Sequence, residues 1–223
     1  MHGGEDDDRW LVVGLGNPGT RYCANRHNIG FALVDVLAEQ GRLDWRGASR
    51  FGGQTAAGQL HGRPVLLLKP QTYMNLSGDS VAPAARCLRI PVERIVVVHD
   101  DVDLALGRLK VKRGGGAGGH RGLRSVTEKL GSPGFVRIRF GVGRPSSPDV
   151  ETADYVLSDF LPDEQDLVAA TMDRAIEAIG TILTQGVKEA MNRHNRPPAK
   201  EPGAAKERDA AKEPNAADRA DAE

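Results

Sequence analysis

Three short, unbroken apolar runs punctuate the first half of the chain, at residues 11–13, 65–68 and 95–98. Runs of this length, rich in Val, Leu and Ile, fit central strands buried on both faces of a sheet. Residues 54–60 stand just ahead of the second run across His61-Gly62-Arg63, which predicts a pairing of the two segments. Residues 136–142 alternate Arg137 and Arg139 with apolar neighbours, the pattern of a strand with one wet face. Between the strands, apolar positions recur at helical spacing. One helix is predicted over 29–40, with Ile29, Leu33, Val36 and Leu37 on one face, and another over 74–88, interrupted by Pro83. Helical periodicity returns at 122–130 and is strongest over 163–191, where Leu167, Ala170, Ile176, Ile179, Leu183 and Val187 form a stripe. The pattern predicts an α/β fold in a single domain: a twisted mixed β-sheet flanked by helices on both faces, with 54–68 and 137–142 as hairpin or edge material.

Composition sharpens the boundaries. The 223 residues suffice for one well-cored domain, with little left for a second. A formal net charge of zero hides an uneven distribution, since residues 1–8 carry four acids and residues 196–223 carry seven acids against six bases. That leaves 24 bases and 19 acids in residues 9–195, the part expected to fold, and favours an anionic partner. The acidic start, 1–8, and the mixed-charge tail, 196–223, have too few large apolar residues to offset the entropy of ordering and are expected to be disordered. Cys23 and Cys87 are too few for a disulfide framework or a zinc cluster, which points to a reducing compartment, the cytoplasm. No apolar run approaches the roughly 20 residues of a membrane span, and the first ten residues lack the cationic start of a signal peptide. A membrane partner is not expected.

Candidate chemistry clusters at the strand ends. In open α/β sheets the ligand crevice lies beyond the carboxyl ends of the strands. Asn17 follows the run 11–13, Asn75 follows 65–68, and His99-Asp100-Asp101 closes 95–98, while His27 enters from the loop that begins at the first strand. A histidine, a carboxylate and two amides on one rim suit hydrolysis, with Asn28 as a further candidate for the polar lining. Each residue also has a plainer reading: Asn17 as a turn residue in Asn-Pro-Gly, Asn75 as a helix cap, Asp100 and Asp101 as a solvated strand end, His27 as a structural histidine. Gly14, Gly16 and Gly19 also match the G-x-G-x-x-G spacing of a dinucleotide turn. That fingerprint needs a helix opening at the third glycine and an acid ending the next strand. Here Thr20 to His27 intervene, and the candidate acid, Asp35, lies inside a helical pattern.

Residues 107–124 hold Arg108, Lys110, Lys112, Arg113, Arg121 and Arg124 with no acid, wrapped around the glycines 114–116, 118 and 119. Cations beside a glycine loop that exposes amides ahead of His120 and a helix suit phosphate binding, whereas a charged, solvated strand edge is the plainer alternative. Few aromatics flank the stripe, so backbone and end recognition fits better than base stacking.

Four segments, GLGNPGTRYCANRHNIG, KPQTYMNLSG, HDDVDL and GGGAGGHRGLRS, together resemble the bacterial-type peptidyl-tRNA hydrolase family, a match running from about Leu11 to about Asn195. The resemblance implies a monomeric α/β enzyme that needs no metal or other cofactor. Its expected reaction is hydrolysis of the ester between a peptide, or an N-blocked amino acid, and the 3′ ribose of tRNA, rescuing peptidyl-tRNA lost from translation. It implies His27 as general base, Asp100 as the carboxylate that orients it, and Asn17 as the amide that distinguishes blocked from free aminoacyl ends. Asn75 is implied to bind the peptide or acceptor end, and Tyr22 and Tyr73 to contact the tRNA end. Lys110, Lys112 and Arg139 are assigned to tRNA phosphates, with His120 and Arg121 of the glycine loop grouped among the substrate-binding residues. Arg121 departs from the family, which usually has Asn there; a group that donates and accepts becomes one that only donates. Two other classes make different demands. A catalytically silent RNA-binding relative would dispense with the His–Asp pair, and a nicotinamide oxidoreductase would require an acid at a second strand end.

Overall fold

Leu11, Val12 and Val13 are fully buried in β1 (Trp10–Gly14), because each side of this strand faces a different half of the core. The computed structural model describes residues 8–47 and 50–196, so the disorder expected over 1–8 and 196–223 falls outside the described residues except at Asp8 and Arg196; Asp8 pairs with Arg63 (3.0 Å) and Arg94 (2.7 Å). The other strands are β2 (Gly53–Leu60), β3 (Arg63–Pro70), β4 (Ile95–Asp101), β5 (Leu109–Arg113) and β6 (Val136–Gly141). They form one sheet in the order β2-β3-β1-β4-β6-β5. β3, β1, β4 and β6 run parallel in the centre, while β2 and β5 pair antiparallel at the two edges. The sheet is therefore mixed, as expected. The 54–68 pair turns through His61 and Gly62, both at positive φ (50° and 72°), and Arg63 already belongs to β3.

Val12, Val65, Leu67, Val96 and Val98 face α1 (Ile29–Gln40), α5 (Gln165–Gln185) and α6 (Val187–His194). On the opposite face Leu11, Val13, Leu66, Leu68 and Val97 meet α2 (Gly78–Cys87) and α3 (Arg121–Leu130). Several expectations need adjustment. β6 is not an edge, because β5 covers it, and Arg137 on β6 is buried rather than wet. The interruption of the helix over 74–88 falls at Ser77, between a 3-10 turn (Met74–Leu76) and α2, whereas Pro83 sits inside α2 with its ring on the exposed side. Gly186, at φ 90°, divides the long periodic segment into α5 and α6. The buried face of α5 runs through Val168, Thr171, Ala175, Ile179 and Ile182, leaving Leu167 and Ala170 exposed.

Two glycines set the site. A Cβ on Gly30, in the first turn of α1, would stand 2.5 Å from the backbone N and O of Leu15, and one on Gly14 would stand 2.1 Å from Gly30 O. Backbone therefore touches backbone where β1 ends and α1 begins, which brings the loop preceding α1 against the ends of β1 and β4. Of the three glycines in the G-x-G-x-x-G spacing only Gly19 has a positive φ (109°); the first two serve close packing.

Candidate active site

The chain leaves β1 for β3 on one side and returns to β4 on the other, so the sheet's switch point lies between β1 and β4. There the site assembles. Asn17 and Asn28 clamp each other: Asn17 N–H donates to Asn28 Oδ1 (2.8 Å) and Asn28 Nδ2 donates to Asn17 O (2.9 Å). Asn17 Oδ1 accepts the amide of Met74 (2.8 Å), which joins the loops after β1 and β3. With its oxygen committed, the Asn17 amide has Nδ2, a donor, left for the pocket that it lines. Asn28 is a bracket for Asn17 and does not line the pocket.

His27 sits in a 3-10 turn (Arg26–Asn28), and its Nδ1 meets Asp100 Oδ1 at 2.8 Å. His120 Nε2 meets the same oxygen at 3.0 Å. The tautomer of His120 follows from its second nitrogen, which caps α3 by accepting the amides of Gly122 (3.1 Å) and Leu123 (3.3 Å). An acceptor carries no proton, so the proton of neutral His120 resides on Nε2 and is donated to Asp100. The amides of Gly122 and Leu123, in the first turn of α3, are consequently occupied by a side chain rather than left for a phosphate. Asp100 is buried, which alone would raise its pKa, but the facing His120 and His27 outweigh burial and hold the carboxyl well below its ordinary range. His27 Nδ1 then donates to this carboxylate, leaving Nε2 as a lone pair with no hydrogen bond among the described residues, on a ring that lines the pocket. His99 donates Nδ1–H to Asp100 O (2.6 Å) and stands edge-on to His120 at 5.0 Å. Burial, reinforced by His120, pushes its pKa down, so it stays neutral.

His27, Asp100 and His120 offer ligand atoms within 4.8 Å of one another, the geometry of a candidate metal trio. The donor set argues against that use. Coordination through His120 Nε2 would place the proton on Nδ1, against two amide N–H groups.

The pocket encloses about 640 Å³, within the range of small-molecule sites. Lys112, Arg121, Arg137, Arg139 and Arg144 line its cationic side. Three are engaged: Arg137 donates to Gly115 O and Gly116 O (both 2.6 Å), Arg139 to Asp101 (2.7 Å) and Arg144 to Asp103. Lys112 and Arg121 have no ion pair or hydrogen bond among the described residues, so they are the available cations. Tyr73 and Asn75 also line the pocket, and both are exposed. Two residues expected at the site lie outside its lining. Tyr22 has its hydroxyl engaged by Arg21, whose guanidinium also covers its ring, and Lys110 stands opposite Arg139 across β5–β6. An apolar wall of Met74, Leu123, Val156 and Leu157 completes the pocket. Nothing in the sequence around Val156 and Leu157 marks them, because the short helix α4 (Thr152–Val156) that carries Val156 follows a stretch without motif or clear periodicity.

An α/β domain with a His–carboxylate pair at its switch point, donor amides beside it and a cationic wall has the parts expected of a hydrolase for an anionic substrate. The peptidyl-tRNA hydrolase family model matches residues 11–202, and the chain belongs to that family. It is 48% identical over 189 residues to the peptidyl-tRNA hydrolase of Geobacter sulfurreducens, covering 83% of this chain and 94% of the relative. It is 49% identical over 187 residues to that of Symbiobacterium thermophilum, covering 83% and 98%. A crystal structure of peptidyl-tRNA hydrolase from Acinetobacter baumannii superposes with a TM-score of 0.79 at 38% identity, over 84% of this chain and 95% of that one.

Proposed function

We propose that this protein hydrolyses the ester joining a peptide, or an N-blocked aminoacyl group, to the 3′ ribose of tRNA, acting as a cytoplasmic monomer in translation. The observation that carries the mechanism is the His27–Asp100 contact, which leaves His27 Nε2 unoccupied at the pocket. Nε2 takes a proton from water as the oxygen attacks the ester carbonyl, and Asp100 stabilises the imidazolium that forms. The carbonyl π electrons move to oxygen. The tetrahedral intermediate then collapses, the bond to the ribose 3′ oxygen breaks, and the imidazolium returns its proton to that oxygen. An alkoxide leaves more readily than an amide nitrogen, so no covalent nucleophile is required.

Asn17 Nδ2 and Asn75 are the donors for the developing oxyanion and the peptide carbonyls. A donor amide complements the carbonyl of an N-acyl group and opposes a free ammonium, which supports Asn17 as the discriminator of blocked ends. Lys112 and Arg121 hold phosphates of the acceptor end, joined by Arg139 and Lys110 where phosphate displaces Asp101 or extends along β5. Tyr73 contacts the tRNA end, and Tyr22 does so from outside the pocket. His120 serves chiefly through Asp100. The test is turnover of an N-acetylaminoacyl-tRNA by wild type and His27→Gln, with the variant expected to lose at least the ~10²-fold typical of a general base. Full turnover by the variant would remove His27 from the role.

A further inference from the structure

Arg26 directly precedes the base of the reaction proposed above, yet it lines no part of the pocket and is almost completely buried. Its guanidinium lies between two aromatic rings, 4.5 Å from the centroid of Tyr155 and 4.7 Å from that of Phe160. Nη2 donates to Glu164 Oε2 at 2.7 Å, and the same oxygen accepts the amide of Leu161 (2.7 Å). Nε and Nη1 have no hydrogen-bond partner among the described residues. A buried cation with one carboxylate and two π faces relies on a planar, stackable group, which lysine does not supply.

The partners of the Arg26 guanidinium and amide, Tyr155, Ser158, Phe160 and Glu164, all lie in residues 155–164, which carry Val156 and Leu157 of the apolar wall. Arg26 N–H donates to Ser158 O (3.0 Å), Asn25 Nδ2 donates to Leu157 O (3.3 Å), and Asn25 forms an antiparallel bridge with Asp159. Tyr155 in turn donates its hydroxyl to Val142 O (2.7 Å), just past β6. Val156 and Leu157, between these anchors, face the pocket. The turn carrying His27 and the wall carrying Leu157 are thus joined by the backbone and Asn25 contacts and, at the side-chain level, by the stacked Arg26. A short 3-10 turn has little rigidity of its own, having few internal hydrogen bonds.

The geometry points to Arg26 as a positioning residue that sets the orientation of His27 toward Asp100 and, through Tyr155, Phe160 and Glu164, holds the apolar wall in register with it. This inference rests on His27 acting as the base. Because the cationic side of the pocket is built from other elements, disturbing Arg26 should spare tRNA binding and slow the chemical step.

Three variants test it in the full-length chain: Arg26→Lys keeps the charge and loses the stack, Phe160→Leu removes one ring, and Glu164→Gln keeps the stack and loses the ion pair. Arg26→Lys and Phe160→Leu should each lower kcat by about tenfold or more, since misplacing a reacting group by an ångström costs up to ~10²-fold, while KM stays within about twofold. Glu164→Gln should fall between these and wild type. The His27 imidazole NMR signals should move in Arg26→Lys and Phe160→Leu, and affinity for uncharged tRNA should not. If Arg26→Lys does not fold, Phe160→Leu carries the same expectation. A folded Phe160→Leu with wild-type kcat and unmoved His27 signals would overturn the proposal, as would a loss confined to KM. If wild type released no peptide, the hydrolase reading would fail, and the His27 signals would still decide whether Arg26 orients that ring.

Discussion

His120 performs two tasks through its two nitrogens, capping α3 with Nδ1 and donating to Asp100 with Nε2. Substitutions can separate them. Asn at this position can cap a helix but does not reach Asp100, so His120→Asn should lower kcat while its melting temperature stays near that of wild type. His120→Ala should lower kcat and also cost about 1 kcal/mol of stability for the lost cap; equal stability of the two variants in urea unfolding would contradict the capping role. Asn17, Asn75 and Asp100 were legible in the sequence because they lie at or shortly beyond strand ends, where side chains converge on one rim, and His27 because its loop begins at the end of β1. Arg26, Asn28 and Arg137 were not legible as clamps. Their partners are set by the fold, and Glu164 lies 138 residues from Arg26 along the chain. Alternation correctly put Arg137 and Arg139 on one face of β6 but carried no information about the glycine loop that covers Arg137.

The contact between β1 and α1 decides where the catalytic turn sits. It depends on Gly30 having no side chain, since a Cβ would stand 2.5 Å from Leu15 backbone and 2.6 Å from Val98 O. Gly30→Ala should therefore destabilise by at least the upper end of the ~1–3 kcal/mol usual for overpacking, and should reduce kcat in whatever fraction remains folded; a variant as stable as wild type in urea would show that the two elements separate readily. Strands β1, β3 and β4 were visible as apolar runs because burial on both faces removes alternation. β5 was obscured because only Leu109 and Val111 face inward, and its free edge is paired by the Asn195 side chain (2.7 and 3.0 Å to Val111) rather than by another strand. The break at Gly186 was also hidden, since the apolar spacing continues across it.

Charge and protonation act on the molecule as a whole. Burial pushes the pKa of His99 down to about 3 and lowers that of His194 below the ordinary imidazole value. Unfolded imidazoles titrate near about 6.5, so below that pH the unfolded chain takes up protons more readily than the native state, and stability falls as pH drops. Asp100, whose pKa is depressed in the native state, adds a further loss below its unfolded value of about 4. Urea midpoints should decline from pH 7 to pH 4, and His99→Leu should flatten that decline; an unchanged slope would show that His99 does not contribute. The net positive folded part predicts salt-sensitive binding of tRNA. Removing Lys112 and Arg121 together should reduce the slope of log affinity against log salt by about 2, and an unchanged slope would take both out of phosphate binding. The most direct measurement is hydrolysis of one aminoacyl-tRNA in its N-acetylated and free forms by the purified protein. The N-acetylated ester should be cleaved and the free form spared, with the cleavage lost in His27→Gln. No release from the N-acetylated form, or equal release from both, would contradict the account.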